Sequence, residues 1–289
     1  MFGMNEKVGR NYFKDRAEDE LLVTSRFYTL QGEGPYRGFP AYFVRLAKCN
    51  LNCSFCDTFF DSGDIKTFQE ILDESDKVIA DFYRKRDMQV PIWAEGKNKK
   101  IVLVITGGEP SLQTNLTAFL KAAKKHFYKT QIESNGIQHI DIPGTTYVVS
   151  PKCLEINGVS TKYLKPNKKV LEDADCLKFV MSAPESEAYT PYSEVPDWAL
   201  QWMHETGKDI FVSPMNIYLK EPQKAKEMRA LKGELNIEER SNVEEIISFW
   251  EPGLLDLEKN QRNHEYTAEY AMKTGCILNL QMHLFASLP

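Results

Sequence analysis

AYFVRLAKCNLNCSFC, residues 41–56, places three cysteines directly after a run of apolar and β-branched residues. Residues 41–47 have the composition of a buried β-strand, and Cys49, Cys53 and Cys56 follow it with C-x3-C-x2-C spacing. Three thiolates this close together can bind one polynuclear centre. An iron–sulfur cluster with three protein ligands leaves one iron open, whereas a structural zinc ion takes four protein ligands, usually in two separated pairs. The sequence has no second Cys or His pair with such spacing, so the pattern favours a cluster.

The rest of the chain alternates β-rich and helical segments, which predicts an α/β fold built on parallel strands. One helix is expected to begin at a capping box over 67–70, and another carries apolar residues at helical spacing over 112–127. Polar residues cluster where the predicted strands end. In a barrel of parallel strands those ends share the face that carries active sites, so we expect a partial or modified (β/α) barrel. The predicted strands are residues 23–30, 41–47, 101–105, 130–134, 146–150, 176–181, 209–213 and 276–282.

Composition narrows the class of protein. The 36 Lys and Arg against 41 Asp and Glu give a net charge of −5, which argues against nucleic acid as a partner. No apolar run approaches the ~20 residues of a membrane span, and no signal-peptide core precedes the first charges, so we expect a cytoplasmic protein without a membrane partner. We predict a single domain over 1–289, with charged segments 84–100 and 217–265 as helical or exposed insertions within it.

The cysteine spacing together with TGGEP (106–110) resembles the radical S-adenosylmethionine (SAM) superfamily. The resemblance implies a 4Fe-4S cluster held by Cys49, Cys53 and Cys56, with SAM on the open iron. Two glycines would let the backbone approach the methionine end of SAM, and the Glu109 carboxylate could accept a hydrogen bond from its ammonium group.

Further motifs resemble the 7-carboxy-7-deazaguanine synthase family within that superfamily. The resemblance implies a lyase that converts 6-carboxy-5,6,7,8-tetrahydropterin to 7-carboxy-7-deazaguanine with loss of ammonia, on the route to queuosine-type 7-deazapurines. A 5′-deoxyadenosyl radical would take hydrogen from C6 of the pterin, and the substrate radical would then undergo ring contraction. Magnesium, an electron donor such as flavodoxin or ferredoxin, and a homodimer are also implied. The motifs are TLQGEG (29–34), FVRL (43–46), CDT (56–58), ESNG (133–136), VSPK (149–152), LKFV (177–180) and QMH (281–283).

The same resemblance implies the roles of individual residues, with no catalytic residue beyond the cluster and SAM. Thr58 matches the magnesium ligand. Arg45 has independent support, because a guanidinium binds a carboxylate in a bidentate manner and the substrate carries one. The implied SAM-binding residues are Phe55, Asp57, Gly108, Glu109, Ser134, Ser150, Pro151, Lys152, Ser213, Pro214, Met215 and Asn216. The implied substrate-binding residues are Leu30, Gln31, Gly32, Glu33, Arg45, Thr106, His283 and Pro289, the last through its terminal carboxylate.

The sequence departs from the family pattern at two positions, and two alternative functions stay open. Ser213 stands where compact family members often have glutamine, and Leu284 where lysine is common, so affinity for SAM or substrate could differ.

One alternative is another radical SAM enzyme, such as one that activates a protein glycine. The other is a non-catalytic zinc or iron–sulfur binding module. Gln31, Glu33 and Arg45 favour a small heterocycle with a carboxylate over the first of these alternatives.

Overall fold

Strands and helices alternate along the chain, as the sequence pattern predicts. The computed structural model describes residues 7–58, 60–184, 187–218, 255–286 and 288. The strands are β1 (Glu20–Leu30), β2 (Pro40–Leu46), β3 (Asp64–Thr67), β4 (Lys99–Gly107), β5 (Phe127–Ser134), β6 (Thr146–Val149), β7 (Cys153–Ile156), β8 (Val159–Tyr163), β9 (Cys176–Met181), β10 (Ile210–Pro214) and β11 (Ile277–Leu278). The α-helices are α1 (Phe68–Arg84), α2 (Leu116–Ala123), α3 (Lys168–Asp173), α4 (Asp197–Thr206), α5 (Leu257–Thr274) and α6 (Met282–Ala286).

Nine of these strands form one sheet, in the order β11-β10-β9-β6-β5-β4-β2-β1-β3. From β2 to β11 every neighbouring pair is parallel, which confirms the predicted α/β fold with a parallel sheet. The sheet formed by the described residues is open, with β3 and β11 at its edges, and is not a closed barrel. Strand β1 pairs antiparallel with β2 and β3. The connection over 31–39 is too short for the crossover that a parallel pair would need.

Most predicted strands are present, with one correction and some additions. The predicted strand over 276–282 is wrong for most of its length, because only Ile277–Leu278 pairs with β10 and helix α6 begins at Met282. Short apolar runs do not distinguish strand from helix, which explains the error. Strand β3 and the β7–β8 hairpin were not predicted from the sequence. Asn157 and Gly158 both have positive φ in the hairpin turn, as an Asn-Gly turn of this kind requires.

The capping box predicted for α1 is confirmed. Glu70 N donates to Thr67 Oγ1 (3.2 Å), and Thr67 N donates to Glu70 Oε2 (2.7 Å), so two otherwise unpaired backbone groups are satisfied. Helix α2 is shorter than the predicted periodic stretch over 112–127. Its buried residues Leu116, Phe119 and Leu120 join the main core cluster, which fills the space between the helices and the sheet.

The two suspected insertions differ in how far the structure describes them. Residues 85–98 connect α1 to β4, and Ile92 within them is almost fully exposed. Lys99, the first residue of β4, is instead buried and paired with Asp76. Residues 219–254 lie outside the described ranges, and residues 257–265 form the first half of α5. The single-domain arrangement stays a prediction. None of the helices in the described ranges combines the length and apolar character that crossing a bilayer requires.

Candidate active site

The carboxyl end of β2 leads directly into the loop that carries the three cysteines. Lys48 adopts a left-handed backbone conformation, with φ of 73°, and turns the chain out of the strand. The amide of Val8 donates to the carbonyl of Cys49 (2.8 Å), which holds the start of the loop. Cys49, Cys53 and Cys56 then line one cavity, together with residues from the carboxyl ends of the parallel strands.

Strand β4 ends beside this loop at Gly107 and Gly108. The backbone of β2 and of the loop leaves no room for a side chain at either position. A Cβ at Gly108 would lie 1.9 Å from the carbonyl oxygen of Lys48. A Cβ at Gly107 would lie 2.2 Å from the amide nitrogen of Leu46, and Gly107 also has a φ of 117°. The glycines therefore permit the close approach of β4 to β2 and the cysteine loop. Gly108 also lines the cavity, and its predicted contact with SAM stays a prediction.

The three thiols suit a cluster chemically. Burial raises the pKa of Cys53 to about 11 and that of Cys56 to about 12. Burial also raises the pKa of Cys49, and the Glu109 carboxylate adds to that shift. Such thiols keep their protons until a cationic centre replaces them. No three His, Cys, Asp or Glu side chains in the described ranges are arranged for a single metal ion. A 4Fe-4S cluster does not need that arrangement, because each thiolate binds a different iron.

The β7–β8 hairpin and the segment after β9 hold the cysteine loop from outside. Ser54 N donates to Glu155 Oε2 (2.9 Å). The Phe55 ring packs edge-on against Tyr189 and Tyr192, with centroid distances of 6.0 and 5.0 Å. The backbone at Ser54 and the ring of Phe55, both between Cys53 and Cys56, are thus fixed by other elements.

Glu109 connects the ends of β4 and β5. Its side chain is fully buried, and its carboxylate accepts hydrogen bonds from Ser111 N (2.9 Å), Ser134 Oγ (2.7 Å) and Asn135 N (2.8 Å). Asn135 Nδ2 in turn donates to Asn50 Oδ1 in the cysteine loop (2.7 Å). A carboxylate can accept about four hydrogen bonds, and the described residues supply three to Glu109.

Two carboxylates and one ammonium group form a buried cluster on another wall of the cavity. Lys178 Nζ donates to Glu33 Oε2 (2.5 Å) and to Glu133, and Gln31 Nε2 also donates to Glu133 (3.2 Å). Burial raises the pKa of Glu33, and the charge of Glu133 adds to this shift. At Glu133 the Lys178 charge outweighs burial and lowers the pKa. The pKa values of the two carboxyl groups are thus shifted in opposite directions, although Lys178 donates to both.

A third group of polar residues comes from the cysteine loop and the C-terminal segment. Burial lowers the pKa of His283 to about 4, and the Arg45 charge adds to the shift, so the imidazole is neutral at pH 7. Thr58 is buried, and its hydroxyl donates to Asp57 Oδ1 (3.1 Å). Gln281 Nε2 donates weakly to the other oxygen of Asp57 (3.4 Å). The cavity is thus lined here by the cationic Arg45, the neutral His283 and the carboxylate of Asp57.

The structure brings most of the predicted site residues to the cavity. Leu30 and Pro151 do not line it, and Pro289 lies outside the described residues. Contact with SAM, substrate or magnesium is a prediction for every one of these residues. The predicted residues that line the cavity are Gln31, Gly32, Glu33, Arg45, Cys49, Cys53, Phe55, Cys56, Asp57, Thr58, Thr106, Gly108, Glu109, Ser134, Ser150, Lys152, Ser213, Pro214, Met215, Asn216 and His283.

The predicted site omitted Glu133, Lys178 and Gln281, which also line the cavity. A signal for two of them was present in the sequence. Lys178 lies within a strand whose other residues are almost all buried, and Glu133 lies near the end of another. Charged residues are rarely buried unless they are paired, so a charge inside an apolar strand indicates a paired or functional group.

Comparison with known proteins assigns the family. No family model matches the chain. It is 28% identical over 291 residues to 7-carboxy-7-deazaguanine synthase of Rickettsia prowazekii, covering 100% of this chain and 96% of that protein. It is 34% identical over 192 residues to 7-carboxy-7-deazaguanine synthase of Rhodospirillum rubrum, covering 65% of this chain and 68% of that protein. A crystal structure of QueE from Escherichia coli is similar, with 19% identity and a TM-score of 0.48, covering 96% of this chain and 99% of that chain. On the extent and identity of its sequence matches, the chain belongs to the 7-carboxy-7-deazaguanine synthase family.

Proposed function

We propose that the chain is a radical SAM lyase that converts 6-carboxy-5,6,7,8-tetrahydropterin to 7-carboxy-7-deazaguanine and ammonia, in queuosine and 7-deazapurine biosynthesis. The observation that carries the proposal is one cavity in which three buried cysteines face polar and charged groups from the other strand ends. Membership of the 7-carboxy-7-deazaguanine synthase family supports the choice of reaction.

The three cysteines would hold a 4Fe-4S cluster, and SAM would bind its open iron. When bound, the cluster and SAM supply the abstraction of hydrogen from C6 of the pterin, which initiates ring contraction. The tasks of the protein are then to orient both molecules and to exclude water from the reacting atoms. Glu109 suits the ammonium group of SAM, because its carboxylate is already held in place by three hydrogen bonds.

The cluster of Glu33, Glu133 and Lys178 suits the aminopyrimidinone edge of a pterin. That edge presents N–H donors beside a carbonyl acceptor, and the cluster offers carboxylate acceptors beside the Lys178 ammonium donor. Arg45 would bind the substrate carboxylate, as a cationic group in the same cavity. Glu133 and Lys178 are thereby added to the predicted substrate-binding residues.

The proposal extends to magnesium at Thr58. Thr58 is buried and lines the cavity, and its hydroxyl oxygen lies 3.1 Å from Asp57 Oδ1, so two oxygen groups are adjacent there. Magnesium prefers oxygen ligands and keeps several positions for substrate and water. For Thr58→Ala we expect product formation to respond less to added magnesium than in the wild type. An unchanged magnesium response would remove Thr58 as a ligand.

A cytoplasmic location, a homodimer, and flavodoxin or ferredoxin as electron donor complete the proposal. The homodimer and the electron donor follow from the family resemblance. Sedimentation of the reconstituted protein tests the dimer, and turnover with either reduced carrier in place of dithionite tests the donor. A monomer, or the absence of turnover with both carriers, would contradict the corresponding part.

The decisive experiment is anaerobic mass spectrometry of reconstituted protein with reductant, SAM, magnesium and 6-carboxy-5,6,7,8-tetrahydropterin. We expect 7-carboxy-7-deazaguanine from the wild type and none from Cys53→Ala. Formation of 5′-deoxyadenosine with intact pterin would favour the other radical SAM enzyme. A colourless protein that binds zinc, without absorbance near about 400 nm after iron and sulfide treatment, would contradict both enzymatic functions.

A further inference from the structure

Helix α5 places two buried asparagines on the side of the candidate active site. Asn260 is fully buried and Asn263 is 4% exposed. They lie three residues apart and therefore on one face of the helix. Asparagine is a poor helix former, and a buried amide is costly unless it is hydrogen-bonded, so both residues need a reason beyond helix formation.

The two amides bind the backbone of the segment that follows β10. Asn263 Nδ2 donates to Met215 O (2.8 Å), and its Oδ1 accepts from Ala183 N (2.8 Å). Asn260 Oδ1 accepts from Ile217 N (2.8 Å), and its Nδ2 donates to Ile217 O (2.9 Å). Residues 215–217 lie beyond the end of β10, where Met215 N still donates to Met181 O of β9 (2.7 Å), and the two asparagines add side-chain partners for the backbone at 215 and 217.

The segment held in this way reaches the cysteine loop through two further side chains. Asn216 Nδ2 donates to Gln281 Oε1 (2.6 Å), and Gln281 Nε2 donates to Asp57 Oδ2 (3.4 Å). Asp57 directly follows Cys56. Met215, Asn216, Gln281 and Asp57 all line the cavity. The backbone of 215–217 and the hydrogen bonds on either side of it thus connect α5 with Asp57, which follows the third cysteine.

We propose that Asn260 and Asn263 are positioning residues that fix the 215–217 segment and, through Asn216 and Gln281, the Asp57 carboxylate for binding of SAM. The identity of the ligand rests on the proposed function, whereas the fixing of the segment does not. A purely structural role would lower stability without changing the affinity for SAM. A positioning role changes that affinity even where the fold is intact.

The test compares Asn263→Ala and Asn260→Ala with the matched control Gln261→Ala. Gln261 is exposed on the same helix and donates to Glu265 (2.9 Å). Hydrogen exchange of the amides in 215–217 is measured first, on protein without cluster. We expect exchange of the Ile217 amide to accelerate about tenfold in Asn260→Ala, which corresponds to the loss of one hydrogen bond. The control should exchange like the wild type.

The second readout is the SAM concentration that half-saturates the change in the electron paramagnetic resonance spectrum of the reduced cluster. We expect it to rise about tenfold in both asparagine variants, with the KM for the pterin unchanged. Wild-type affinity for SAM in a folded variant with faster exchange would overturn the proposal. If either variant fails to fold, Gln281→Ala tests the same connection at a partly exposed position, and wild-type affinity there would overturn it as well. Failure of the wild type to consume pterin would contradict the proposed function without affecting these measurements.

Discussion

A single absent side chain, at Gly108, lets β4 end within hydrogen-bonding distance of the cysteine loop. Gly108 N donates to Leu46 O (2.8 Å), and Glu109 N donates to Lys48 O (2.8 Å). A methyl group at Gly108 would occupy the place of that second carbonyl, because it would lie 1.9 Å away from it. The position of the loop thus depends on the smallest possible residue at the end of the neighbouring strand.

For Gly108→Ala we therefore expect the free energy of unfolding to fall by about 2 kcal/mol or more, the cost of overpacking against rigid backbone. Iron bound after reconstitution should fall with it. Chemical denaturation and iron analysis measure the two effects. Gly9→Ala is the control, since a Cβ there meets nothing within 4 Å and its φ is −92°. Equal stability of the two variants would contradict the packing argument.

His283 gives the site a pH dependence with a definite sign. Burial and the Arg45 charge lower its pKa from 6.5 to about 4. Above pH 6.5 neither the folded nor the unfolded state binds the proton. Between pH 6.5 and 4 the unfolded state binds it and the folded state does not, so stability falls as pH falls, by at most about 1.4 kcal/mol per pH unit.

We expect His283→Gln to lose less stability than the wild type between pH 7 and pH 4.5. Urea denaturation at several pH values measures the difference, and the comparison cancels the contribution of the acidic residues that both proteins share. Parallel pH profiles for the two proteins would show that His283 titrates normally in the folded state.

At the scale of elements, the β7–β8 hairpin supports the cysteine loop through Glu155. For Glu155→Ala we expect the Ser54 amide to exchange about five- to tenfold faster, because its acceptor at 2.9 Å is removed. Hydrogen exchange with mass spectrometry measures this directly. Glu155→Gln is the matched control, since its amide oxygen can still accept the bond. An unchanged exchange rate in Glu155→Ala would show that the hairpin does not restrain the loop.

Sequence patterns within a few residues were enough to predict the helices and strands that depend on neighbouring residues. The capping box over 67–70 and the buried strand over 101–105 needed no knowledge of distant residues. The β7–β8 hairpin also depends on a local signal, the Asn-Gly turn at 157–158, although it was not predicted. The run over 276–282 was ambiguous, because two paired residues followed by a short helix give the same apolar pattern.

Side-chain partners depend instead on the order of strands in the sheet. The cysteines were predicted as one site because they lie within eight residues. The contact of Lys178 with Glu133 was not predicted, because the two residues are 45 positions apart and meet only where β9 and β5 flank β6. Periodicity indicates which residues are buried, but it does not give strand order.

At the scale of the whole molecule, the segments that follow β1 and β11 meet at the site although the two strands do not pair. A Cβ at Gly32 would lie 2.8 Å from Met282 N, so the turn after β1 and the segment after β11 touch through backbone. Asn279 is fully buried and accepts a hydrogen bond from Gly34 N (3.2 Å). Residues 245 positions apart thus meet beside Glu33. The cavity is completed only when the last part of the chain has folded against the first.

Residues 219–254 connect Tyr218 with Leu255, and these two residues lie next to each other. Tyr218 and Leu255 form an antiparallel bridge, and Asp256 N donates to Ile217 O (2.9 Å). Because the two ends are already adjacent, a short turn can join them without strain, and a shorter loop costs less closure entropy. Replacing 219–254 by a two-residue turn should therefore leave the sheet and α5 folded.

We expect this shortened protein to unfold in one cooperative transition within a few degrees of the wild type, and to keep wild-type exchange rates at 215–217, because Asn260 and Asn263 remain. Calorimetry and hydrogen exchange measure both properties. Loss of cooperative unfolding would show that 219–254 belongs to the core and would contradict its prediction as part of an insertion. If the fold and the iron content are retained while product formation is lost, the segment acts on the substrate or on a partner of the reaction, because the cysteine loop and its supports are intact.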